Sequence, residues 1–127
     1  MSRENVEVVQ KLYDALSGRD LFSVLHLIAP DIELRTTVET YRGVEGIEAF
    51  MAEVERTFED YTATAGKIAD AGDRVVVEVH QRGRGRESGI DIDHTFTHVW
   101  TLDDGLVTSL RAFTDRSEAL EAAGLRE

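Results

Sequence analysis

The sequence has no cysteine, one proline and one tryptophan among 127 residues. Without thiols there can be no disulfide framework, thiolate zinc site, iron–sulfur cluster or cysteine nucleophile. Positive charge is scarce: 14 Lys and Arg stand against 25 Asp and Glu, a net charge of −11 with histidines neutral. Such a surface repels phosphate backbones and anionic lipid, so neither nucleic acid nor a membrane is expected as a partner. No apolar run approaches the roughly 20 residues that span a bilayer. The opening Met-Ser-Arg-Glu-Asn has no apolar signal core, so a cytoplasmic location is expected. What is present is a hydrophobic share of 42%, enough for a core at this length, and one domain over residues 1–127 is expected. Composition leaves a small acidic domain that is an enzyme or a small-molecule binder.

The first half carries helical periodicity. Val6, Val9, Leu12, Tyr13 and Leu16 form one stripe. Asp20 opens a second short helix with Leu21, Val24, Leu25 and Ile28, closed by Pro30. Asp31 to Arg35 alternates and predicts a strand. A loop through Tyr41-Arg42-Gly43 leads to a third helix with the stripe Ile47, Phe50, Met51, Val54 and Phe58. After Tyr61 the period becomes 2. Arg74 to Arg82 puts Val75, Val77, Val79 and Gln81 on one face, with Val76, Glu78, His80 and Arg82 on the other. Gly83 to Gly89 reads as a wide hairpin loop. Ile90 to Leu102 aligns Ile90, Ile92, His94, Phe96, His98, Trp100 and Leu102 on one face. Asp103-Asp104-Gly105 marks a tight hairpin turn, and Leu106 to Thr114 pairs back. Asp115 and Glu118 form a capping box for a last short helix, Ala119 to Ala123. Three helices before a mostly antiparallel meander predict an α+β fold with helices on one sheet face.

Three stretches carry a resemblance: Lys-Leu-Tyr-Asp-Ala-Leu-Ser-Gly-Arg-Asp, Ala-Pro-Asp-Ile-Glu-Leu, and Tyr-Arg-Gly-Val-Glu-Gly-Ile. With the C-terminal His-Val-Trp-Thr-Leu-Asp-Asp-Gly and Arg-Ala-Phe-Thr-Asp-Arg-Ser-Glu-Ala-Leu, the chain resembles the SnoaL-like branch of the nuclear transport factor 2-like superfamily. The resemblance implies a cone-shaped roll, a curved sheet wrapped around three N-terminal helices, with an apolar pocket at the open end. It also implies dimers through the outer sheet face. The fold serves isomerases, cyclases, hydrolases and non-catalytic binders alike. The isomerases set a carboxylate base opposite a tyrosine and a protonated aspartate. Alignment places the acid position at His98, the base position at Thr36 and the tyrosine at Leu12 or, with a one-residue shift, Tyr13. The epoxide-hydrolase aspartate falls at Ala112. The carboxylates of two familiar mechanisms are therefore absent.

His98 is the candidate catalytic residue. It shares the inward row with Phe96, Trp100 and Leu102, where an imidazole needs a pocket or a polar partner. A histidine titrating near neutrality can exchange protons with a ligand. Tyr13, Phe50, Phe96 and Trp100 would wall a hydrophobic ligand, and Gln81 and Thr114 would supply hydrogen bonds at the mouth. With Thr36, these form the expected substrate-binding set. No metal or cofactor is expected. On a strand, His94 and His98 lie about 13 Å apart, too far to share an ion. The Gly83-Arg84-Gly85-Arg86 loop runs into a strand rather than a helix, and Asp91 and Asp93 lack the rest of a calcium loop. The outward row of Val76, Val99 and Phe113 points to a homodimer. The expected function is binding of a small hydrophobic molecule, with His98 as acid or base of a cofactor-independent isomerase, cyclase or hydrolase. The alternatives are a non-catalytic carrier and a structural or interaction module.

Overall fold

The computed structural model describes residues 2–18 and 20–125. Helix α1 (Ser2–Ser17) buries the stripe the spacing dictates: Val9, Leu12 and Tyr13 all lie in the core. Asp20 caps the following turn through the Ser23 amide, but the segment Leu21–Leu27 is a 3-10 helix, tighter than expected. It ends before Pro30, because Ile28 already opens strand β1 (Ile28–Arg35). Pro30 falls in the stretch between Ile28 and Glu33 where the β1 register shifts, a place that tolerates a residue without an N–H.

Two expectations for the next segment are corrected. Thr40–Arg42 is a short strand, β2, paired antiparallel with β1 rather than a loop. Helix α2 (Gly43–Thr57) stops one residue before Phe58, which instead begins the long strand β3 (Phe58–Ala71). Strands β4 (Arg74–Gly85), β5 (Asp91–Asp103) and β6 (Leu106–Phe113) follow as a meander. The β4–β5 loop is shorter than expected, and Ile90 is exposed at its end rather than inward. The β5–β6 turn places Asp104 at φ 52° and Gly105 at φ 80°, the conformation a primed hairpin turn demands. Helix α3 (Arg116–Ala122) is capped by Asp115, which accepts from the Ser117 and Glu118 amides.

The six strands form one mixed, mostly antiparallel sheet in the order β2-β1-β6-β5-β4-β3, with β1 and β6 parallel. Its inner face packs Val75, Val77, Val79, Trp100 and Leu102 against Val9, Leu12 and Tyr13 of α1. The outer face is also covered. Val76, Val99 and Phe113 form a second cluster with Ala119, Leu120 and Ala123. The expected α+β fold, with N-terminal helices on one sheet face and a short C-terminal helix, is thus present, and α3, which the sequence assigned to no face, covers the outer one. The same contact corrects the argument for a homodimer, since the chain's own helix buries the apolar residues that called for a partner. Further along that face stand ion pairs, Glu78 with Arg116, His80 with Asp93 and Arg84 with Asp91. Among the described residues, no helix is long and apolar enough to cross a membrane.

Candidate functional site

Strand register decides which side chains share the inner face. His98 of β5 stands between Val77 of β4 and Ala112 of β6, and Trp100 between Val75 and Leu110. Helix α1 crosses this surface and delivers Tyr13. The Trp100 Nε1–H donates to the Tyr13 hydroxyl at 2.9 Å, and that hydroxyl lies 2.8 Å from His98 Nδ1. Tyr13 and Trp100 meet edge-on, with ring centres 5.4 Å apart, while the Tyr13 and His98 rings are nearly parallel at 6.2 Å.

Donor capacity constrains the protons in this chain. An indole nitrogen only donates, so the Tyr13 oxygen accepts from Trp100. The Tyr13 proton can then go to an unprotonated His98 Nδ1, while the second lone pair of the phenol oxygen can equally accept from Nδ1–H, so the contact is compatible with either tautomer. In the first arrangement His98 carries its proton on Nε2. Nε2 has no hydrogen-bond partner among the described residues, yet none of their buried side-chain nitrogens or oxygens lacks one. It follows that Nε2 keeps accessible surface, and in the Nε2–H tautomer it presents a free N–H.

Burial fixes the charge state. Desolvation lowers the His98 pKa to about 4, so the ring is neutral at pH 7. This corrects the expectation of a histidine titrating near neutrality. Desolvation also pushes the Tyr13 phenol well above its ordinary value, partly opposed by the Trp100 hydrogen bond. Tyr13 remains protonated and the relay carries no net charge. It can donate one hydrogen bond from a neutral imidazole, backed by a hydroxyl and an indole.

The other expected residues divide. Phe96 is partly buried one step along the inner face, edge-on to the exposed His94 at 4.8 Å. Phe50 sits on α2 with its ring against Tyr41 at 5.5 Å, and no ring contact joins it to the trio. Thr36 lies in the β1–β2 turn. Its hydroxyl donates to the Glu39 carbonyl at 2.9 Å and accepts from the Val38 and Glu39 amides, so the turn consumes it. Thr114 is exposed beyond the end of β6. Gln81 is inward, opposite His94 and Ala63, and burial raises the phenol of nearby Tyr61 above its ordinary value, with the Gln81 amide partly opposing the shift. Tyr61 escaped the sequence reading because its neighbours on that face, Ala63 and Ala65, are too small to make β3 conspicuous.

Two hollows border these elements. One, of about 340 Å³ between α1 and β3, is lined by Gln10, Tyr13, Asp14, Ala65, Gly66 and Ile68. The other, of about 770 Å³, lies near the β3–β4 and β5–β6 turns and includes Asn5, Asp73 and Asp104. Of the trio, Tyr13 lines the first of these two hollows, and His98 and Trp100 line neither. Among the described residues, no three His, Asp or Glu side chains converge as metal ligands.

Comparison with known proteins adds the relationship. The SnoaL-like domain family matches residues 9–110. A putative SnoaL-like polyketide cyclase from Jannaschia superposes with a TM-score of 0.77 at 25% identity, over 99% of this chain and 95% of that one. TerC co-crystallised with polyporic acid gives 0.78 at 25% identity, over 95% and 98%. A ketosteroid isomerase-like fold from Catenulispora acidiphila in complex with trimethylamine gives 0.76 at 22% identity, over 94% and 93%. Comparison with curated proteins gave no match.

Proposed function

The chain belongs to the SnoaL-like domain family, and from that membership we propose that it binds a small hydrophobic carbonyl compound on its inner face. In this reading His98 Nε2–H donates to the carbonyl oxygen. The observation that supports it is the Trp100–Tyr13–His98 chain, which in the Nε2–H tautomer leaves one N–H over on a neutral, partly buried imidazole. A neutral imidazole donor stabilises negative charge that develops on oxygen without itself giving up a proton. Enolising isomerisations, aldol-type cyclisations and acyl hydrolyses pass through such an oxyanion, and a cofactor-independent enzyme of that kind is the first reading. His98 then serves as an electrophile rather than as the acid or base first expected.

A non-catalytic carrier is the second reading. It is favoured by the strands beside His98, where Ala112 is its direct neighbour and the Thr36 hydroxyl is tied into a turn, so neither supplies a base. The relatives crystallised with polyporic acid and trimethylamine fit both readings, since each holds a small molecule.

Titration with 4-acetylbiphenyl, an uncharged aryl ketone, tests the shared claim. His98→Leu removes one hydrogen bond and should weaken binding about tenfold. Unchanged affinity would remove His98 from the site. Mass spectrometry of ligand recovered from cells making the protein separates the two readings: converted product indicates the enzyme, unaltered ligand the carrier.

A further inference from the structure

We propose that the hollow between α1 and β3 is a binding site for a small primary ammonium compound, with Asp14 as its counter-ion. The site is separate from the donor assigned to His98, which does not line it. Its β3 wall is a bulge. From Ala65 to Ile68 the strand advances three residues, while its partner β4 advances two, from Val79 to Val77. The extra residue drops out of the ladder. Because β3 is an edge strand, no further strand takes up the backbone groups freed there. Ala65, Gly66 and Ile68 of this bulge all border the hollow. The register also shifts between Glu59 and Thr62, but no residue of that stretch lines either hollow. Protection of a free edge accounts for both bulges, whereas only the one at Gly66 faces α1 across open space.

The opposite wall is α1. Gln10, Tyr13 and Asp14 fall together on it, because residues three and four apart share a helix face. Among the described residues, neither the Asp14 carboxylate nor the Gln10 amide has a hydrogen-bond or ion-pair partner. Lys67, on the bulge, is exposed and forms no ion pair with them either, so the Asp14 charge stays uncompensated. This lining sets the chemistry of the ligand. An ammonium group has three donors and no acceptor. Asp14 takes one N–H, the Gln10 carbonyl oxygen a second, and a carbonyl freed at the bulge the third. Ala65 and Ile68 add an apolar strip for a short alkyl chain. A volume of about 340 Å³ lies at the small end of ligand pockets, which suits a molecule of a few carbons. The net charge of −11 raises the local concentration of such a cation.

Amide chemical shifts of the whole chain, followed by NMR through titration with n-butylammonium and with uncharged 1-butanol, test this. The ammonium should shift the amides of Asp14, Gly66 and Lys67. It should bind about fivefold more tightly than the alcohol, the size of one solvent-screened charge pair. Asp14→Asn changes an exposed helix position and should bring the two affinities level. Level affinities in wild type, or a preference undiminished in Asp14→Asn, overturn the proposal. So does the absence of any shift. Shifts confined to the turns around Asp73 and Asp104 overturn it as well, since they mark attraction to net charge alone. Ala65→Leu narrows the hollow from the β3 side and should remove the Gly66 shift. An unchanged Gly66 shift in that variant places the amine outside the hollow.

Discussion

Trp100→Ala is expected to destabilise the protein by about 3–5 kcal/mol, as loss of a buried tryptophan does when its cavity cannot collapse. Trp100 is 3% exposed, flanked by Val75 and Leu110 on the neighbouring strands and capped by the Tyr13 ring. These walls belong to a rigid sheet and to α1, so little can move in to fill the void. The substitution also strips the Tyr13 oxygen of its donor. Against a typical total of about 5–15 kcal/mol, the variant should lie close to its unfolding midpoint at moderate denaturant. Trp100→Phe keeps most of the volume and should recover the larger part of the loss, since only the indole hydrogen bond, about 1 kcal/mol, is then missing. Urea unfolding followed by circular dichroism reads both. A Trp100→Ala midpoint equal to that of wild type would contradict the packing described.

The second large effect is on pH. His98 has a folded-state pKa of about 4, against 6.5 for a free histidine, because burial disfavours the cation. The unfolded chain therefore binds a proton that the folded chain refuses. Stability from this group is complete above about 6.5, declines as pH falls and is gone below about 4. Integrated over that window it amounts to about 3 kcal/mol. Measured as a difference, wild type should lose about 3 kcal/mol more than His98→Leu between pH 7 and pH 4. The carboxylates common to both proteins cancel in that comparison. Parallel stability curves would show that His98 is solvated enough to titrate normally.

Much of the architecture was legible because a few periodicities are strong. The α1 stripe, the alternation of β4 and β5 and the Asp104-Gly105 turn each involve residues whose size or backbone freedom allows few other arrangements. Strand β3 was obscure for the opposite reason. Ala63, Ala65 and Ala69 contrast weakly with Thr62 and Thr64, and the register shift between Ala65 and Ile68 breaks the period midway. The outer row of Val76, Val99 and Phe113 was legible as apolar, but periodicity alone does not say that a helix of the same chain, rather than a partner, covers it.

The site was only half legible. His98, Trp100 and Phe96 fell together because they are alternate residues of one strand. The contact of Tyr13 with His98 spans 85 positions, and neither residue announces the other. Alignment left Leu12 and Tyr13 as alternatives. Both are buried, but only Tyr13 carries the hydroxyl that joins Trp100 to His98. The depressed pKa of His98 was beyond reach as well, since it comes from burial that forms only when α1 closes on the sheet.

The most direct test follows the ring nitrogens of His98 by nitrogen-15 NMR through an acid titration, with His98→Leu used to assign the signals. A neutral ring at pH 7 with its proton on Nε2, and a midpoint near 4, is the predicted outcome. A proton on Nδ1, or a midpoint near 6.5, would mean that Tyr13 and Trp100 do not set up a free donor and that the site works by other means.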